Sequence, residues 1–133
     1  IKKIINKIDI IFLNKAELIK LTNIDSIEQG VKKILKINNK IKIIATNSKN
    51  NVIYGDNKSI IKIKPPKIKV KNENGAGDAL AGMMLYLLSK GYNKEQILKY
   101  SVACGSYYAN GNKLSSKKDL LKIKNISRRV KLK

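Results

Sequence analysis

The sequence predicts an α/β fold in which short buried strands and helices alternate along the chain and pack in layers. Three observations carry the prediction. Short β-branched runs, at residues 9–13 and 40–45, alternate with stretches whose apolar residues recur at helical spacing. An uncharged apolar run at residues 79–88 has the length of a core helix and is far short of the roughly 20 residues that cross a bilayer. No internal repeat interrupts this order.

Taken in order, residues 9–13 read as a buried strand, and Asn14 then opens a helix over 15–21. Ser26 caps the next helix, 27–37, where Ile27, Val31, Ile34 and Leu35 fall on one face. A second strand at 40–45, a polar turn at 46–51 and a third strand at 52–54 follow. Residues 60–70 alternate Ile with Lys around Pro65 and Pro66, which reads as strand, break, strand, with the prolines at an edge or crossover. After the glycine-bearing segment 72–78 comes a helix ending near Ser89, then a second from Lys94 to about Ala109. Ser116 and Asp119 mark a last short helix, and residues 125–133 read as a basic, frayed tail.

Composition narrows the chemistry. The 133 residues carry a formal charge of +20 and no histidine, which removes the commonest general base and most Ser-His or Cys-His nucleophile systems. Carboxylates, backbone amides, Lys or bound ions must do the work. The cations are Lys spread along the whole chain with two Arg, Arg128 and Arg129, and aromatic residues are few, so a nucleic-acid partner is not indicated. Abundant Ile, Lys and Asn account for the charge as compositional drift of an AT-rich coding sequence. Cys104 is the only cysteine, so no intrachain disulfide forms and a reducing, cytoplasmic setting is expected, with no membrane segment and no signal peptide. The chain opens on Ile1 rather than Met, as a processed or excised piece would.

The segment Asn74-Gly75-Ala76-Gly77-Asp78 is the most informative. Two glycines around one alanine let the backbone turn tightly, and the following helix N-terminus adds unpaired amides and the positive end of its dipole, which together make an anion cradle. A carboxylate at the rim of such a cradle repels phosphate. It makes sense there if it takes the proton from a hydroxyl attacking a phosphoryl group held by the amides. The plainer alternative is a tight turn with Asp78 as an ordinary first-turn acid. Likewise Asn14 and Glu17, three residues apart, form either a capping box or a polar site.

The stretch from Asn74 to Gly82, Asn-Gly-Ala-Gly-Asp-Ala-Leu-Ala-Gly, resembles the C-terminal signature of the ribokinase-like, or PfkB-type, carbohydrate kinases. The resemblance implies a three-layer ribokinase-like fold of which this chain is the C-terminal portion. It implies phosphoryl transfer from ATP to a sugar or nucleoside hydroxyl, with Asp78 as catalytic base and Gly75, Ala76 and Gly77 amides as the anion hole. Asn14 and Glu17 match an Asn-x-x-Glu element that organises Mg²⁺ through water. Thr46 matches a hairpin that lies along the nucleotide phosphates, in which Ser48 is a further expected nucleotide contact, and Val102, Ala103 and Ser106 match a helix bordering the adenine. A monovalent cation and a homodimer of the full enzyme belong to the same expectation.

The departures are Glu73, Met83, and Ser48 and Asn51 where glycines are usual; Asn51 is the position expected to keep the turn by adopting positive φ. Residues 1–124 then form the C-terminal part of a kinase domain and 125–133 a tail, while the N-terminal half, with its lid and sugar-holding residues, is a missing partner. Asn72 and Cys104 resemble the pseudouridine kinase branch. The remaining alternatives are a basic binding module without catalysis and a truncated relic inactive alone.

Overall fold

The computed structural model describes residues 2–48 and 50–133; Ile1, and Lys49 within the 46–51 turn, lie outside the described residues. The elements follow as α1 (Lys2–Ile5), β1 (Ile10–Asn14), α2 (Lys15–Thr22), α3 (Ile27–Ile37), β2 (Lys42–Thr46), β3 (Val52–Gly55), β4 (Ile60–Lys64), α4 (Ala76–Ser89), α5 (Lys94–Ala109), α6 (Lys117–Ser127) and β5 (Lys131–Leu132). The strands are ordered β1-β2-β3-β4-β5 in one sheet. The α/β expectation therefore holds. The chain divides into two units, Ile1–Lys62 and Ile63–Lys133.

In the first unit β1 pairs parallel with β2, through the α2–α3 crossover that a parallel pair requires, and β2 turns back on β3 as an antiparallel hairpin. Apolar side chains from helices and strands meet in one cluster that includes Leu18, Val31, Ile34, Ile43 and Ile53. Helix α3 shows why its sequence folds this way. Ser26 Oγ accepts from the Gln29 amide at 3.4 Å, Val31 and Ile34 are buried, and Lys32 reaches Glu28 at 2.6 Å on the wet face. Helix α1, which is not among the expected elements, is tied down by Asn38, whose Nδ2 donates to the carbonyls of Ile5 (2.8 Å) and Ile8 (3.1 Å).

In the second unit α5 is the core helix, burying residues from Ile97 to Ala109, including Ser101 through Gly105. Burial pushes the Cys104 thiol up to about 11, the inert thiol expected of its apolar setting. Helix α4 is less enclosed than its sequence implies. Leu80, Met84 and Leu87 are buried against α5, whereas Leu85 and Tyr86 are half exposed.

Two expectations are corrected. The second strand expected after the prolines does not form. Strand β4 ends at Lys64, Pro65 and Pro66 remove two donors, and the chain runs irregularly to α4. That stretch is instead held by the end of α5. The amides of Lys71 and Asn72 both donate to Ala109 O (2.8 and 3.0 Å), and Asn110 Nδ2 donates to Lys69 O at 2.6 Å. The second correction concerns residues 125–133, which do not fray. They complete α6, bury Ser127 and Val130, and form β5, which pairs antiparallel with β4 at Ile63↔Leu132 and Lys64↔Lys131.

Candidate active site

The strongest sequence feature sits where the physical argument places it. Gly75 is the N-cap of α4 in a left-handed conformation (φ 80°), and Ala76, Gly77 and Asp78 form the first turn. The turn is closed by its own bonds: Asn74 N–H donates to Asn72 Oδ1 (2.9 Å), Ala76 N–H to Glu73 O (3.2 Å), and Ala79 N–H to Gly75 O (2.9 Å). Ala76 has thus already committed its amide, while Gly77 and Asp78 amides have no carbonyl within their own helix to bond. The cap itself carries no side-chain hydrogen bond.

Comparison with the other helices gives this weight. Helices α2 and α6 also place an acid three residues after the N-cap, and there the acid turns back. Glu17 Oε2 accepts from the Asn14 amide at 2.8 Å, and Asp119 Oδ2 accepts from the Ser116 amide at 2.9 Å. Asp119 also takes the Tyr107 hydroxyl at 2.7 Å, and the Tyr107 bond leads a set that holds its carboxyl well below the usual range. Asp78, at the same spacing, is exposed and accepts no hydrogen bond among the described residues.

The glycines around it differ in what they answer to. A Cβ on Gly105 would lie 2.9 Å from Ala76 O, so α5 can press against the first turn of α4 only without one. A Cβ on Gly77 would meet nothing within 4 Å. The fold does not require glycine there, and the space it leaves lies beside the unbonded amides.

In the first unit, Asn14 and Thr46 are register partners at the ends of parallel β1 and β2. Asn14 and Glu17 form the complete capping box, with Glu17 N–H donating to Asn14 Oδ1 at 2.9 Å, so the structural reading of this pair is realised. Glu17 Oε1 is left over. Among the described residues of the 46–51 turn the left-handed one is Ser48 (φ 49°), not Asn51 as expected. The chain keeps the turn by placing serine in a conformation that costs about 1–2 kcal/mol. Asn47, Asn50 and Asn51 of this turn front a groove of about 340 Å³ beside Ser26 and Glu28 at the start of α3.

On α5, Val102 (3% exposed) and Ala103 (0%) are core residues, and Ser106 alone of the three expected nucleotide contacts presents surface. Tyr108 was not legible as part of the site. Its ring lies against Gly75, and nothing in the local sequence distinguishes it from its buried neighbour Tyr107.

Residues 1–115 match the pfkB family carbohydrate kinase pattern, and the chain belongs to that family. Among curated proteins, the ATP-dependent 6-phosphofructokinase isozyme 2 of Escherichia coli (strain K12) is 25% identical over 126 residues, covering 90% of this chain and 41% of its own length. Phosphofructokinase-2 from E. coli, solved in complex with potassium, superposes with a TM-score of 0.77 at 24% identity, covering 91% of this chain and 41% of that one. Ribokinase from Thermotoga maritima superposes with a TM-score of 0.81 at 17% identity, covering 94% and 45%. This is the ribokinase-like fold over part of its length: the chain spans about two fifths of the relatives it matches.

Proposed function

We propose that this chain is the C-terminal, phosphoryl-transferring part of an ATP-dependent kinase acting on a sugar or sugar-phosphate hydroxyl. The observation that carries the reading is the free Asp78 carboxylate behind an uncapped α4, set against Asp119, which the fold consumes at the same spacing, and Glu17, which gives one carboxylate oxygen to its own cap. In this reading Asp78 takes the acceptor's proton as the acceptor oxygen bonds the γ-phosphorus. The bond from that phosphorus to the bridging oxygen breaks, and ADP carries the electron pair away. The amides of Gly75, Gly77 and Asp78 stabilise the charge that develops, and the open space at Gly77 fits a phosphoryl group approaching the backbone.

Thr46 and Ser48 serve the nucleotide phosphates and Ser106 the adenine side. Bound Mg²⁺ would neutralise phosphate charge, and Glu17 Oε1 would reach it through water, as befits an ion that keeps much of its hydration. A monovalent cation is proposed by analogy with the potassium-bound relative. The acceptor pocket comes from the part of the fold that the relatives have beyond this chain, and homodimers form in the complete enzyme.

The finer acceptor reading is a nucleoside, pseudouridine in particular, favoured by Asn72 ahead of the Gly-Ala-Gly-Asp core. A phosphorylation assay pitting fructose 6-phosphate, ribose and pseudouridine against one another on the completed enzyme decides between them. The same assay tests the base. Asp78→Asn should lower kcat by about 10²–10⁴-fold while ATP affinity stays within about twofold. Turnover near that of the unmodified enzyme would remove Asp78 from the chemistry.

A further inference from the structure

The bonds of Asn74, Ala76 and Ala79 close the Asn72–Ala76 turn on itself. Helix α5 attaches it at three points. Gly105, Tyr108 and Ala109 fall at i, i+3 and i+4, on one face of that helix, and each meets a different part of the turn. Ala109 O holds the lead-in amides of Lys71 and Asn72, and Gly105 sits under Ala76 O. Tyr108 covers Gly75: a Cβ there would lie 3.0 Å from Tyr108 Cε1, 3.5 Å from Cζ and 3.4 Å from the hydroxyl oxygen.

The ring therefore occupies the space over the one residue of the turn whose backbone is left-handed and whose cap has no side-chain bond. The tyrosine next to it is used differently. Tyr107 is buried and spends its hydroxyl on Asp119 of α6, whereas Tyr108 is 37% exposed and its hydroxyl has no protein partner among the described residues. What Tyr108 contributes to the protein is its ring, pressed on Gly75.

We propose that Tyr108 is a positioning residue of the anion cradle: its ring fixes Gly75 and so aims the Gly77 and Asp78 amides at a bound phosphoryl group. The assignment rests on the kinase reading of that cradle. It acts through Gly75 and needs no contact with the nucleotide.

The test uses the full 133-residue chain, unmodified and as Tyr108→Ala and Tyr108→Phe, with amide hydrogen exchange followed residue by residue and inorganic phosphate as the probe. Tyr108→Ala should speed exchange at Asn72 and Ala76 about tenfold, leave Leu87 and Val102 unchanged, and weaken phosphate binding, read from the Gly75–Asp78 amide shifts, about tenfold. Tyr108→Phe keeps the ring and should match the unmodified chain in both measurements.

The proposal is overturned if Tyr108→Ala exchanges and binds like the unmodified chain. It is equally overturned if Tyr108→Phe behaves like Tyr108→Ala, which would assign the effect to the hydroxyl, or if Leu87 and Val102 accelerate as much as Ala76, which would make Tyr108 general packing. Should phosphate fail to shift the amides of the unmodified chain, the cradle reading itself fails. The exchange arm still reports whether the ring orders the turn.

Discussion

Whether an acid three residues into a helix is structural depends on what precedes it at the cap. Asn14 Oδ1 accepts from the Glu17 amide and Ser116 Oγ donates to Asp119, and the amides of Asn14 and Ser116 donate to the returning carboxylates, so each acid is tied to its own cap. Gly75 offers no side chain, and Asp78 stays free. Gly77 carries the same distinction one residue earlier. Nothing lies within 4 Å of its missing Cβ, so Gly77→Ala should leave the fold intact and raise stability in urea by up to about 1 kcal/mol, the ordinary helical gain over glycine. On the proposed kinase reading the same substitution should also cut phosphoryl transfer, because the methyl group would fill the open space at Gly77. A loss of stability would show that the fold, not the ligand, needs this glycine. Ser48 makes the opposite case. Its φ of 49° is strained for serine, and Ser48→Gly should raise stability in urea, by about 1 kcal/mol at most, where an unstrained position would lose stability.

At the scale of elements, α6 depends on a charge. Its capping box and its attachment to α5 both run through Asp119, which receives the Tyr107 hydroxyl and the Ser115 and Ser116 amides. Its folded carboxyl is held below the value of about 3.9 that it has when unfolded. A lowered folded value means that the unfolded chain binds the proton more tightly. The contribution is therefore complete at neutral pH and is lost as pH falls below about 4 toward the folded value. Asp119→Ala should be less stable than the unmodified chain at pH 7, and the gap between their urea midpoints should narrow on acidification; a gap independent of pH would exclude the charge as its source.

This capping box was readable beforehand because its partners are three residues apart, as were Asn14 with Glu17 and the Ser26 cap. The path from Pro65 to Gly75 was not, because its alternation of Ile and Lys imitates a strand while its actual partners, Ala109 and Asn110, lie some forty residues away in sequence. Strand β5 is two residues long, and only its pairing with β4 defines it. The candidate site divides the same way. Gly75 to Asp78 announced itself through backbone chemistry that local sequence controls. Val102 and Ala103 could be a ligand wall or a packing surface, and the choice lay with tertiary neighbours that place them in the core.

For the molecule as a whole, two opposed forces remain after the fold is accounted for. The formal charge of +20 makes each copy repel the next, and the ion pairs Glu28–Lys32 and Glu95–Lys99 neutralise little of it. Strand β5 even sets Lys131 directly opposite Lys64, an unfavourable like-charge pair. Against this stands β1, an outermost strand whose Ile10, Ile11, Phe12 and Leu13 are apolar on both faces and only half buried. Such a strand has the composition of the interior of a parallel sheet and the position of an edge, with backbone donors and acceptors open to a further strand. Salt separates the two forces. Raising ionic strength from about 0.1 to 1 M shortens the screening length from about 10 to 3 Å and removes the repulsion while leaving the apolar edge untouched. Sedimentation velocity of the 133-residue chain should accordingly show association that grows with NaCl, and Phe12→Lys, which charges the edge without touching Ile11 or Leu13 on the core side, should suppress it. A polyanion-binding role for the lysines would give salt dependence of the other sign for its complexes, weakening steeply as NaCl rises. A chain that stays monomeric at every salt concentration would mean that β1 is not an adhesive edge.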